Sequence, residues 1–259
     1  MPTTAAVLLS SIALPGLSSS PAQAADCVPR SAVSTNAWNV VHCGVPDIDQ
    51  HRNGLDATGE KYCVPTAAMN ALFWFDKNGY PNMLSGNYDA MSSEPNTFSE
   101  VTRKIKSLAA RMNTQDDGTI VSDAVNGLNS HIAEKGYSSR FQAKYRSVAY
   151  DPSPGRAVAV ALAGDLNPGM AIGKVIRKKN GAVVGGHAVS LTASYGAVGG
   201  LSRITIHDPG TQGFGGNGQS PTIPLTYELG TFVPGLGHKI IGYGYNGESV
   251  YFQGMITIS

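Results

Sequence analysis

Tyr62-Cys63-Val64-Pro65-Thr66-Ala67-Ala68-Met69-Asn70-Ala71-Leu72-Phe73-Trp74-Phe75 is the stretch on which the fold reading turns. Val64, Ala67, Ala68, Ala71, Leu72 and Phe75 recur at the three-and-four spacing of one helical face. Pro65 falls in the first turn, where a missing N–H costs nothing. Asn78-Gly79 and then Pro81 stop the helix, so the spacing predicts a helix from Cys63 to about Lys77. Cys63 therefore sits at a helix N-terminus, where unpaired N–H groups and the macrodipole favour a thiolate.

Outward from this helix the pattern changes twice. Ala25 to Lys61 shows little periodicity and reads as a loop-rich arm. Downstream, a second helix is expected over Thr97–Met112, with Thr97 as cap and Glu100 at capping-box spacing. Asp116-Asp117-Gly118-Thr119 turns the chain into a third helix ending at Gly136, and Ala157–Leu166 reads as a short fourth. Tyr137–Tyr150, Met170–Arg177, His187–Ser194, Leu201–His207, Thr231–Tyr243 and Val250–Ile258 read as strands. Helices first and strands later imply an α+β domain with a mostly antiparallel sheet. The run Glu248 to Gly254 resembles a viral-protease cleavage site, but the alternation continues through it to Ile258 and marks it as strand.

Composition excludes some functions. Charged residues make up 14% against a typical ~25%, and the net charge is +1, so neither a nucleic-acid footprint nor a polybasic membrane patch is implied. Ala5–Leu17 is apolar but too short for a membrane span, and Ala22-Gln23-Ala24 offers a small-residue cleavage pattern. This predicts a signal peptide over 1–24, an N-terminal arm over 25–45, one domain over 46–259, and a secreted or periplasmic protein without a membrane span. In an oxidising compartment three cysteines leave one over. Cys27 and Cys43 are the natural pair, closing a short loop worth about 3 kcal/mol in the chain-entropy model, and Cys63 stays free.

Two later residues complete a chemical set. His187, Val189 and Leu191 share one face of their strand, and Ile204, Ile206 and Asp208 share one face of the next. With the turn centred between Ala197 and Val198, His187 faces Asp208, Val189 faces Ile206 and Leu191 faces Ile204, which suits a carboxylate orienting an imidazole. His207 has the opposite parity and falls with Arg203 and Thr205 on a more polar face. His51 lies in the irregular arm, and His42, His131 and His238 lack patterned company. Cys, His and Asp in this order are what a thiol hydrolase needs.

Tyr62-Cys63-Val64-Pro65-Thr66-Ala67-Ala68-Met69-Asn70, Gly185-Gly186-His187-Ala188-Val189-Ser190-Leu191 and Ile206-His207-Asp208-Pro209-Gly210 together resemble the C39-like peptidases of the papain-like cysteine peptidase superfamily. The likeness covers roughly Pro46 to Thr211. It implies a papain-like fold, with the nucleophile's helix packed on the sheet, and a peptide or protein substrate. Cys63 would be nucleophile, His187 general base and acid, and Asp208 its orienter. It further implies a Gln upstream as oxyanion donor, for which Gln50 in Asp47-Ile48-Asp49-Gln50 is the match and Asn53 the fallback. The same apparatus could serve another amidase or an acyltransferase, and a domain with Cys63 bridged would be a silent binding module.

Two further signals do not build a cofactor site. Gly213-Phe214-Gly215-Gly216-Asn217-Gly218 spells a dinucleotide glycine pattern, but no helix follows to hold a pyrophosphate, so it reads as a loop. No Cys/His spacing suits zinc, and the expected chemistry calls for no cofactor.

Overall fold

The computed structural model describes residues 27, 29–34, 36–84, 94–210, 217–219, 225–244 and 247–259. The export segment expected over 1–24 and most of the glycine-rich loop, 213–216, lie outside them. Along the chain run β1 (Arg30–Val33), β2 (Ala37–Val41), β3 (Ile48–Arg52), α1 (Cys63–Lys77), α2 (Pro95–Arg111), α3 (Val121–Glu134) and β4 (Ala143–Ser147). There follow α4 (Gly155–Asp165), β5 (Met170–Lys179), β6 (Ala182–Ala197), β7 (Ser202–His207), β8 (Asn217–Gln219), β9 (Leu225–Val233), β10 (Gly237–Ile241) and β11 (Ser249–Ile258).

The expected papain-like arrangement of helices on a sheet is not what the chain adopts. Strands β6, β5, β11, β10, β9 and β7 pair in that order, and β7 pairs back with β6, so six antiparallel strands close into a barrel. Closure comes from β7, which holds β6 on one side and β9 on the other. Strand alternation is the same in an open and a closed sheet, so periodicity could not reveal it. The reading of Thr231–Tyr243 as one strand also hid a barrel member. The chain turns at 234–236, and β9 and β10 are separate partners.

Other differences are local. The loop-rich arm carries three strands: β2 extends β6, and β3 pairs with β8, so Asn217 and Gly218 are strand rather than loop. Its first part is joined to the rest by the Cys27–Cys43 disulfide and by Trp74 Nε1 donating to the Cys43 carbonyl at 3.1 Å. The cap of α2 is Glu94, whose carboxylate accepts from the Thr97 N–H at 2.9 Å, while Glu100 pairs with Arg103 instead. Of the strand expected over 137–150, only 143–147 is strand, paired with β11.

Two cores set the site between them. Val175, Val189, Leu191, Ile206, Ile240, Val250 and Phe252 pack in one cluster with Val158 and Leu162 of α4. On the other face of β5, β6 and β11, Ile172, Ala188 and Ile256 pack against α1, α2 and α3. Helix α1 is buried almost all round, from Pro65 to Phe73, rather than along one stripe. Its one deeply buried amide is held at both ends: Asn70 Oδ1 accepts from the Ile48 N–H at 3.2 Å and Nδ2 donates to Ser190 Oγ at 3.1 Å. That residue fixes β3, α1 and β6 against one another, and each of the three carries a site residue.

No helix among the described residues is long and apolar enough to cross a membrane.

Candidate active site

Cys63 opens α1 and is the free cysteine of the chain. The residue is half-buried, and its sulfur is influenced by the His187 side chain and by the Ala188 and Val64 N–H groups, all of which favour its negative form. Burial alone would push the thiol up, but His187 and the two N–H groups outweigh it and hold the Cys63 pKa below its ordinary value. His187 Nε2 donates to Asp208 Oδ1 at 2.6 Å, which leaves Nδ1 to face the sulfur. Burial works against a charged imidazole here too, yet Asp208 and Cys63 together push His187 up to about 10. The arrangement favours the thiolate–imidazolium form of the pair over the neutral one.

Asp208 is itself held on both oxygens. Oδ1 also accepts from the Gly210 N–H at 2.8 Å, and Oδ2 accepts from Tyr243 Oη at 2.7 Å. Gly210 must stay bare, since a Cβ there would lie 2.8 Å from His187 Cε1. Sequence reasoning missed Tyr243. It sits in Gly242-Tyr243-Gly244 just after β10, and nothing in its local pattern reports a contact with a residue 35 positions earlier.

The structure brings His187 and Asp208 together, but not by the expected register. Leu191 is opposite Ile206 and Ser190 opposite His207, two residues away from the expected pairing, and a bulge between Leu191 and Ala193 then sets Ser194 opposite Ile204. The turn is centred on Gly199 instead, since Gly196 pairs with Ser202. On the site side of the bulge the shift of two residues keeps each side chain on its face, so His187 and Asp208 meet as diagonal neighbours. The face of His207, read as the more polar one, is covered at His207 and at Thr205. His207 is buried, its Nδ1 lies 3.2 Å from the Pro46 carbonyl, and burial lowers its pKa.

Gln50 lines the cleft with Cys63 and His187, in a space of about 340 Å³ that also borders His51, Glu60, Arg177 and Gly210. Its Nε2 donates to the Gly59 and Glu60 carbonyls, each at 3.1 Å, so both amide protons are engaged, while Oε1 is buried without a partner. Gly59 allows this close turn: its φ is +88°, and a Cβ would lie 1.7 Å from the Gln50 carbonyl oxygen. The fallback donor, Asn53, is exposed and does not line this cleft.

Two carboxylates accompany Gln50 on β3 and the residue before it. Asp49 Oδ1 accepts from the His51 N–H at 2.7 Å and faces His51 Nδ1 at 3.3 Å, which raises the His51 pKa. Asp47 is pushed up to about 9, first by burial and then by Asp208 and Asp49. Asp47 therefore stays neutral near pH 7. Among the described residues no group of three His, Cys, Asp or Glu side chains is placed to hold a metal ion.

Compared with models of known protein families and with curated proteins, the chain matches none.

Proposed function

We propose that this protein is an exported thiol hydrolase that cleaves peptide bonds. The observation that carries the reading is the 2.6 Å contact of His187 Nε2 with Asp208 Oδ1 beside a free, partly accessible Cys63. In the proposed reaction the Cys63 thiolate attacks the substrate carbonyl carbon, and the carbonyl oxygen becomes the oxyanion. The Cys63 N–H is the first oxyanion donor, and Gln50 becomes the second when one of its amide protons leaves a carbonyl of the 59–60 turn. His187 then gives its proton from Nδ1 to the leaving amine, producing a thioester on Cys63. Water deprotonated by His187 attacks the thioester, releasing the acid and restoring the thiolate–imidazolium pair.

The motif likeness to the C39-like peptidases supports the peptide-bond reading, and the Cys27–Cys43 bridge supports export to an oxidising compartment. A silent binding module, favoured had Cys63 been bridged, loses its main argument because the bridge takes the other two cysteines. An acyltransferase differs only in the nucleophile that resolves the thioester. Mass spectrometry after treatment with an epoxide inhibitor of thiol peptidases, with Cys63→Ala as control, tests the reading. Addition of one inhibitor at Cys63 supports it, and an unmodified Cys63 in folded protein counts against it.

A further inference from the structure

A second pocket meets the first at Cys63, Gly186 and His187. Its volume is about 150 Å³, and its walls are apolar: Val64, Val121, Ala124, Ile172 and Ile256. One cation lines it, Lys174 on β5. The residues paired with Lys174 across the sheet are Ala188 on β6 and Gly254 on β11, neither with a side chain long enough to cover it. Half-buried as it is, the Lys174 ammonium has no hydrogen bond or ion pair among the described residues. Lys104, another half-buried lysine, shows the contrast: its Nζ donates to the Leu84 carbonyl at 2.6 Å and lies 3.5 Å from Glu100. Burial is the sole influence on Lys174, and it lowers the pKa with no carboxylate to oppose it. Asp117, the remaining titratable group of this lining besides Cys63 and His187, is exposed.

A partly desolvated cation in an apolar pocket is a site waiting for an anion, because a charge-assisted hydrogen bond restores what water no longer supplies. We propose that this pocket is the substrate-selecting subsite, and that Lys174 recognises a carboxylate carried on an apolar stem next to the bond that Cys63 attacks. The inference rests on Cys63 being the nucleophile. The carboxylate belongs either to an acidic side chain or to the end of a peptide chain, and both present the same chemistry to Lys174.

The test uses the full protein and reagents that read Cys63 directly. Alkylation rates of Cys63 are measured with 6-maleimidohexanoic acid and with its neutral carboxamide, in the wild type, Lys174→Gln and Lys174→Arg. The acid should react roughly tenfold faster than the amide in the wild type, the ratio expected of one charge-assisted contact. That ratio should fall to about one in Lys174→Gln and persist in Lys174→Arg. The same ratio in wild type and Lys174→Gln overturns the subsite. No reaction of Cys63 with either reagent instead overturns the nucleophile on which the subsite rests. Protection of Cys63 by peptides with a free C-terminus and no acidic residue assigns the carboxylate to a chain end. Protection by end-blocked peptides with an internal Glu assigns it to a side chain, and protection by neither contradicts the subsite.

Discussion

At the residue scale, the reactivity of Cys63 depends on the groups that surround Asp208. Tyr243 is a positioning residue: its hydroxyl holds Asp208 Oδ2 and so keeps Oδ1 on His187. Tyr243→Phe removes one hydrogen bond from a buried carboxylate, at a cost of about 1–3 kcal/mol. The expected result is a folded protein with a lower melting temperature and roughly tenfold slower turnover, together with a Cys63 alkylation profile moved to higher pH. An unmoved profile would mean that the hydroxyl serves structure alone. Asp47 gives a different signature. A carboxyl raised from 3.8 to about 9 by folding binds a proton in the native state that the unfolded chain has released. Stability linked to it is therefore full below about pH 3.8 and declines as pH rises towards 9. Asp47→Asn should raise the melting temperature at pH 8 by clearly more than at pH 4, and equal shifts at both would show that Asp47 ionises normally. Cys63, His187 and Asp208 were legible as residues because each sits at a position with strong local meaning, a helix start or an apolar strand face. Tyr243 and Asp47 were not, because their importance comes only from a neighbour distant in sequence.

At the scale of elements, the parity of β6 and β7 was readable and their register was not. Alternation of Val189 and Leu191, and of Ile204 and Ile206, assigns the faces whatever the pairing. The bulge at Thr192 and the turn about Gly199 depend on how β2, β5 and β9 compete for the same strands, which no local pattern encodes. Helix α1 was readable as a helix from one apolar stripe, yet Asn70 on it holds β3 and β6 through two buried hydrogen bonds. Asn70→Ala removes both and strands the Ile48 N–H in the core. The variant should lose about 1–3 kcal/mol of stability in a denaturant titration. It should also slow Cys63 alkylation, because the helix start and the His187 strand are no longer fixed to one another. A change in stability with unaltered Cys63 reactivity would show that the core and the site are independent.

At the scale of the molecule, the expectation of helices laid on a sheet gave way to a closed six-stranded barrel. Closure matters for the site because His187, Asp208 and Tyr243 come from three positions around that barrel, on β6, after β7 and after β10. An imidazole so framed swings away from Cys63 only by giving up its contact with Asp208. The central claim is that this frame holds Cys63 as a thiolate paired with a protonated His187. The most direct measurement is the rate of Cys63 alkylation by iodoacetamide as a function of pH, in the wild type and in His187→Ala. The expected result is a thiolate in the wild type below the ordinary thiol pKa of ~8.5, and a profile displaced upward in His187→Ala, where only the Ala188 and Val64 N–H groups still oppose burial. A wild-type profile that rises only through the ordinary thiol range, and is the same in His187→Ala, would contradict it.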